Sequence, residues 1–329
     1  MDACLRITTT TLMTPQLSIV IPTYKRPGLL RACLAALAEQ TVSLMTFEVI
    51  VVDDGNDPPT ALAARQMAQQ TGLTVRYLAQ PERRGPAAAR NRGWRVALAP
   101  LVAFTDDDCL PERTWLATAL AQFEQGAQVL TGQLVMPTTA HRATRPETPT
   151  SITANLFCRR NVLEFVGGFD EAFDSVWRED RELQFKIIRA GIGISPCPEA
   201  VVIHSTPPGP WYAPLRDERR NRYDALLYKR HPQLFREHIP LQTGRVRRYY
   251  FSIIALMGGA IGGLLGQPQV ALIGLAVWSA LTILLFVERL PAQPTPVTLG
   301  QALLTSVATP FLSVYWRLHG AVTYRAWYL

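Results

Sequence analysis

Cysteine is scarce and unpaired in this chain. Its five copies, Cys4, Cys33, Cys109, Cys158 and Cys197, lie far apart and form no Cys-x-x-Cys pair. That excludes a disulfide framework and a structural zinc site, and it fits a reducing compartment. The N-terminus MDACLRITTTTLMTPQ has no basic stretch followed by an apolar core, so no signal peptide is expected. The Gly-x-Gly-x-x-Gly that opens a dinucleotide-binding helix is also missing. The first apolar run leads instead into PTYKRPG, which speaks against a dinucleotide-dependent dehydrogenase. Nothing matches a nucleic-acid-binding module, so nucleic acid is not an expected partner. The last absence is of charge: from Tyr249 to Val287 there is no Asp, Glu, Lys or Arg.

What is present is unevenly spread. Hydrophobic residues make up 48% of the 329 and charged residues 18%, a surplus of apolar side chains for a purely soluble protein. The charge-free stretch is long enough for two bilayer crossings, 249–266 and 269–287, with Gly266-Gln267-Pro268 as the turn. Gly258, Gly262 and Gly266 are four apart, with Gly259 and Gly263 beside them, which predicts a small-residue face for close helix packing. Before it, Arg216 to Arg248 holds ten Lys or Arg against four acids. Such a flank faces anionic lipid headgroups and places both hairpin ends in the cytoplasm. A weaker apolar stretch from about Val297 to Trp316 contains Pro310 and leads into a tail mixing aromatics and arginines, which reads as an interfacial amphipathic helix.

The first two hundred residues alternate strand-like apolar runs with helical stretches. LSIVI (17–21), FEVIVVDD (47–54), LTVRYLA (73–79) and LVAFT (101–105) are the strands, with helices near 27–40, 59–71, 86–99 and 112–125 between and after them. This order predicts an α/β fold, a mostly parallel sheet with helices on both faces. The expected organisation is an extension over 1–16, the sheet domain over 17–205, a basic segment over 206–248, two membrane helices over 249–287 and the apolar tail over 288–329. In such a sheet ligands bind beyond the carboxyl ends of the strands. Pro22, Thr23 and Tyr24 follow strand one, Asp53 and Asp54 end strand two, and Asp106, Asp107 and Asp108 end strand four, so three polar clusters converge on one rim.

Three adjacent carboxylates repel one another and raise each other's pKa. The crowding becomes favourable when a divalent cation sits among them, and hard oxygen ligands suit Mg²⁺ or Mn²⁺. Side chains alternate along a strand, so Asp106 and Asp108 share a face and Asp107 points away.

SIVIPTYKRPGLLRACLAAL, FEVIVVDDGN, RRGPAAARNRGW, LVAFTDDDCLP, NLFCRRNVLEFVGGFDE and WREDRELQFKIIRAG occur in the order and spacing of the family 2, GT-A fold glycosyltransferases. The chain resembles that family over about residues 17–205. The resemblance implies that Pro22, Thr23, Tyr24 and Asp53, with Asp54 alongside, hold the nucleoside of a nucleotide-diphosphate sugar, and that Arg90 lies near its phosphates. It implies a metal on Asp106 and Asp108, with Asp107 beside the nucleotide and His204 where some relatives supply a third ligand. A lone His after a strand is as often structural. Asp180, next to Glu179, matches the general base that takes the acceptor's hydroxyl proton, which predicts inversion at the anomeric carbon. Both acids also suit a helix start on electrostatic grounds alone. Asn155 and Gly167-Gly168-Phe169-Asp170 match landmarks near the donor sugar and acceptor, although paired glycines need only a tight loop.

The QxxRW motif of the family's processive synthases is absent; ERRNRYDA (218–225) does not match it. One sugar per binding event is therefore expected. The implied acceptor is a lipid-linked or envelope glycan at the cytoplasmic face of the inner membrane. A catalytically silent nucleotide-binding scaffold of a membrane complex is the alternative. Loop 137–150 (PTTAHRATRPETPT) is expected to carry donor specificity. The donor sugar, its base and the oligomeric state are not legible.

Overall fold

The computed structural model describes residues 14–136, 152–205, 210–239, 243–291 and 293–328. The loop 137–150 and most of the N-terminal extension lie outside the described residues. The chain divides into two compact units: one built from described residues within 1–137, 149–174 and 186–205, the other from those within 175–185 and 206–329.

The first unit is an eight-stranded sheet. Its elements run β1 (Leu17–Thr23), α1 (Pro27–Ala38), β2 (Phe47–Asp53), α2 (Pro58–Thr71), β3 (Val75–Ala79), α3 (Pro86–Arg95), β4 (Leu101–Phe104), β5 (Cys109–Pro111), α4 (Trp115–Glu124), β6 (Val129–Val135), β7 (Leu156–Arg159), α5 (Arg160–Val166) and β8 (Ile194–His204); α6 (Glu179–Arg189), between α5 and β8, is divided, its residues 179–185 belonging to the second unit. The strand order is β3-β2-β1-β4-β7-β6-β8-β5. Four pairings are parallel (β1 with β2 and β4, β2 with β3, β6 with β8), and β7 and β5 enter antiparallel. Every residue of β2 is buried, as its unbroken FEVIVVD run predicts for a strand covered on both faces.

Local chemistry sets the helix starts. Asp57 caps α2, its Oδ2 accepting from Thr60 N at 3.1 Å and Thr60 Oγ1 at 2.6 Å, and Pro58 fills the first helical position. Three helix and strand limits move from the expected ones: α3 ends at Arg95 rather than near 99, α4 starts at Trp115 rather than 112, and β3 starts at Val75 rather than 73.

The second unit is helical: α7 (Ala213–Asp217), α8 (Arg222–Arg230), α9 (Pro232–His238), α10 (Thr243–Leu264), α11 (Pro268–Glu288) and α12 (Pro296–Tyr324). The turn between α10 and α11 falls where expected, at Gly266, whose φ is +70°. The packing face falls on part of the predicted glycine set. A Cβ on Gly274 would lie 2.5 Å from Ala255 O and 2.6 Å from Gly259 Cα, and one on Gly262 2.6 Å from Val270 Cγ1, whereas Gly258 faces open space. The close contact therefore runs along Gly259, Gly262 and Gly274. Among the described residues, α11 and α12 are long and apolar enough to cross a membrane, whereas α10, which holds the first crossing expected over 249–266, does not reach that hydropathy. The tail, expected as a shorter interfacial helix, is one 29-residue helix that carries Pro310 inside it.

Candidate active site

The three aspartates do not extend β4. That strand ends at Phe104, and Asp106, Asp107 and Asp108 occupy the turn before β5. The turn still separates them as expected. Asp107 turns to β1, where it accepts from Thr23 Oγ1 at 2.7 Å and from Arg26 Nη1 at 3.2 Å. Asp106 accepts from Arg90 Nη2 at 2.7 Å, and Arg90 is 1% exposed. Asp108 lies 3.1 Å from His204 Nε2 and 3.3 Å from Arg26 Nη1. His204 arrives through the antiparallel pairing of β5 with β8, which sets Cys109 opposite His204 and lets Ser205 N donate to Asp108 O at 2.9 Å.

These neighbours decide the charges. Burial pushes the Asp107 carboxyl up to about 6, only partly offset by Thr23 and Arg26. Burial acts the same way on Asp108, but the hydrogen bond and charge of His204 and the charge of Arg26 outweigh it and hold that carboxyl below the usual range. The same hydrogen bond raises His204. Two guanidiniums and an imidazole thus make three crowded acids tolerable.

The donor set fits a divalent cation. Ligand atoms of Asp106, Asp108, Cys109 and His204 all lie within 4.8 Å of one another. Burial and the neighbouring acids raise the Cys109 thiol. The two carboxylates and the imidazole are a set suited to Mn²⁺ or Mg²⁺, and Cys109 stands beside them. Arg26 and Cys109 were not singled out from the sequence. The basic residue after PTY was a usable signal for the first; the second depends on a strand pairing across the sheet.

The acids ending β2 hold the rim loops in place. Asp53 is fully buried and accepts from Gly55 N (2.8 Å), Asp57 N (2.7 Å) and Tyr77 Oη (2.6 Å). Asp54 accepts from Gln80 Nε2 (2.8 Å), Arg84 N (2.7 Å) and Gly85 N (2.9 Å). A carboxylate has room for about four donors, so each retains one open direction. Tyr24 is more exposed, and the Arg83 guanidinium stacks 4.4 Å from its ring centroid, leaving a flat cationic shelf on the rim. Pro22, by contrast, pairs with Val52 within the sheet.

Two asparagines act as clamps. Asn155 donates to Gln133 O (2.9 Å) and Ala200 O (2.7 Å) and accepts from Trp115 Nε1 (2.8 Å), tying β6, β8 and α4 together. Asn91 accepts from Trp94 Nε1 and Phe169 N, both at 2.9 Å, and donates to Phe169 O and Glu171 Oε1, also at 2.9 Å. It welds α3 to the Gly167-Gly168 turn, where Gly168 has φ +66° and a Cβ would press on Asn91 and Trp94. Asn91 was missed in the sequence because its partners are almost eighty residues away.

Glu179 and Asp180 open α6 and belong, with residues 175–185, to the helical unit. Both are buried, and Arg181 N donates to Asp180 Oδ1 at 2.8 Å. Arg178 precedes them at φ +73°, costly for a residue with a side chain. It donates through Nε to Asp224 at 2.7 Å.

A Rossmann-like sheet whose β1, β2 and β4 ends gather acids, a hydroxyl and guanidiniums defines a GT-A type of nucleotide-binding fold. Residues 18–172 match the family model Glycosyl transferase family 2, so the chain carries a family 2 glycosyltransferase domain. It is 31% identical to Glycosyltransferase AglE of Haloferax volcanii over 171 residues, 47% of this chain and 56% of that protein. It is likewise 31% identical to the Pre-mycofactocin glycosyltransferase of Mycobacterium tuberculosis, over 52% of this chain and 40% of that one. The chain thus spans about half or less of these relatives' lengths. Among solved structures, the mannosyltransferase PcManGT of Pyrobaculum calidifontis, in complex with GDP-Man and Mn²⁺, superposes with a TM-score of 0.55 at 20% identity, covering 95% of this chain and 87% of that one.

Proposed function

We propose that this protein is a metal-dependent, inverting glycosyltransferase that moves one sugar from a nucleotide-diphosphate donor to a hydroxyl of a lipid-linked or envelope glycan acceptor at the cytoplasmic face of the membrane. The observation that carries this reading is the cluster of Asp106, Asp108 and His204 on the carboxyl rim of a family 2 domain. The Mn²⁺ and GDP-Man held by a protein of the same fold support it.

Asp106, Asp108 and His204 would hold the ion, which when bound supplies Lewis-acid stabilisation of the departing diphosphate. Thr23, Tyr24, Asp53 and Asp54 line the nucleoside side of the rim, and Arg26 and Arg90 bring guanidinium N–H groups suited to phosphate oxygens. Asp180 has the role of general base. Its carboxylate takes the acceptor's proton, and the Arg181 N–H at the helix start donates to its Oδ1 at 2.8 Å. The acceptor oxygen attacks the anomeric carbon opposite the diphosphate, the bond to the phosphate oxygen breaks with its electron pair, and configuration inverts. No enzyme nucleophile is required.

Membrane attachment is supported by α10, α11 and α12. Their outer faces carry Phe251, Ile254, Leu272, Ile283, Leu303 and Leu318 in the open. Apolar surface of that extent, beside the arginine-rich segment 216–248, suits anionic lipid.

The test is a thermal-shift series of nucleotide-diphosphate sugars with Mn²⁺ and with chelator. Stabilisation that grows with ligand only in the presence of metal is expected. Equal affinity in chelator, or transfer unaffected by Asp180→Asn, would overturn the reading.

A further inference from the structure

The helical unit contains a cavity of about 310 Å³ that the transfer step does not use. Four arginines line it, Arg178, Arg220, Arg245 and Arg317, against three acids, Asp217, Glu218 and Asp224. One carboxylate serves two of the cations: Asp224 lies 2.7 Å from Arg178 Nε and 3.3 Å from Arg317 Nη1. Asp217 lies 3.2 Å from Arg220 Nη2. Burial raises Glu218, which Asn221 and Ser313 hold by hydrogen bonds. The lining is therefore net positive. In addition, the Nε–H groups of Arg220 and Arg317 are buried and meet no acceptor among the described residues. A buried donor left without an acceptor is costly, and an anion with several oxygens removes that cost.

The cavity's place in the chain says which anion. Arg178 is two residues before Asp180, the assigned base. Arg245, Val246 and Tyr249 form the first turns of α10, and beyond them that helix exposes Phe251, Ile254 and Met257. A charged lining thus gives way along one helix to an apolar surface. That sequence of surfaces matches a ligand with an anionic head and a long apolar tail.

We propose that this cavity anchors the acceptor through a phosphate carried on a membrane lipid, with the headgroup among the arginines and the chain along α10. The inference rests on the transferase reading and names the acceptor's class. The hydroxyl that receives the sugar belongs to what the lipid phosphate carries.

The experiment holds the full chain in neutral phosphatidylcholine nanodiscs and measures its binding of added phytanyl phosphate, with phytanol, phosphatidylglycerol and free inorganic phosphate as separate arms. Binding that requires the lipid monophosphate is expected, weakened about tenfold by Arg245→Gln and by Arg220→Gln, since each removes a charge-assisted hydrogen bond. Equal binding to phytanol would make the contact purely apolar and overturn the proposal. Equal binding to phosphatidylglycerol would assign the cavity to bulk lipid, and equal binding of free phosphate to a soluble anion; either overturns it. So would unchanged affinity in both variants. Nucleotide-sugar binding by the same variants is measured alongside. Its retention with loss of lipid-phosphate binding supports the anchor, and its absence in the unmutated protein marks failure of the transferase reading instead.

Discussion

In the sheet unit β2 buries Val49, Ile50, Val51 and Val52, and charge lies at the rim; in the helical unit α12 buries Thr305, Ser306, Thr309 and Ser313 and leaves Leu303, Leu304 and Leu318 at the surface. The first is the pattern of a chain folding in water, driven by removal of apolar area. The second is its inverse. Small and hydroxyl side chains pack helices closely where the surroundings are as apolar as leucine itself. The two units thus bury opposite kinds of side chain, and each fails through a different kind of change.

Four variants sharpen that contrast, in order of expected effect. Asp106→Asn with Asp108→Asn removes the charge that would hold the ion, and transfer should fall by roughly a hundredfold or more while the sheet unit's unfolding midpoint barely moves. A steady-state assay against Mn²⁺ concentration checks it, and retained metal-dependent turnover would break the assignment. Asn155→Ala should act the other way round. It leaves two buried carbonyls and the Trp115 N–H without partners, a cost of about 3 kcal/mol in chemical denaturation. If transfer were lost at unchanged stability, Asn155 would be a donor contact rather than a clamp.

The third test addresses the helical unit. Gly274→Leu should destabilise the α10–α11 hairpin in bicelles by about 1–3 kcal/mol, because its side chain meets Gly259 and Ala255, whereas Gly258→Leu should be silent. Protease sensitivity in bilayers measures both, and equal sensitivity would dismiss the Gly259–Gly274 contact. The smallest effect concerns pH. Glu218 is raised in the folded protein by burial, so the fold binds more protons there than the unfolded chain. Stability from this group therefore declines as pH climbs from its ordinary value through the raised one, and stays lower above it. Glu218→Gln should flatten that slope, which thermal melts from pH 4 to 8 would register.

Much of this was readable beforehand. The order of strands and helices, the convergence of PTY, DD and DDD on one rim, and the turn at Gly266 all follow from apolar periodicity and breaker residues, which act locally. The unread part depends on distant pairing. Arg26 reaches Asp107 and Asp108 only because β1 lies beside β4, and Cys109 faces His204, which the resemblance had named, only because β8 runs against β5. The clamp that Asn155 makes on Gln133, Ala200 and Trp115 was unread as well, because those partners are remote in sequence. Of the glycines named on that face, the partner helix selects Gly259 and Gly262 and leaves Gly258 open, a choice that spacing alone does not make.

Arg248 Nη1 lies 2.6 Å from Glu288 Oε1, joining the first turns of α10 to the last of α11. Such a clasp fixes parity. Were α10 and α11 to cross a bilayer, its two charges would share one aqueous boundary and the chain would leave the lipid on the side from which it entered. Reporters fused ahead of residue 243 and just beyond residue 290 would then light up in the same compartment, whichever compartment that is.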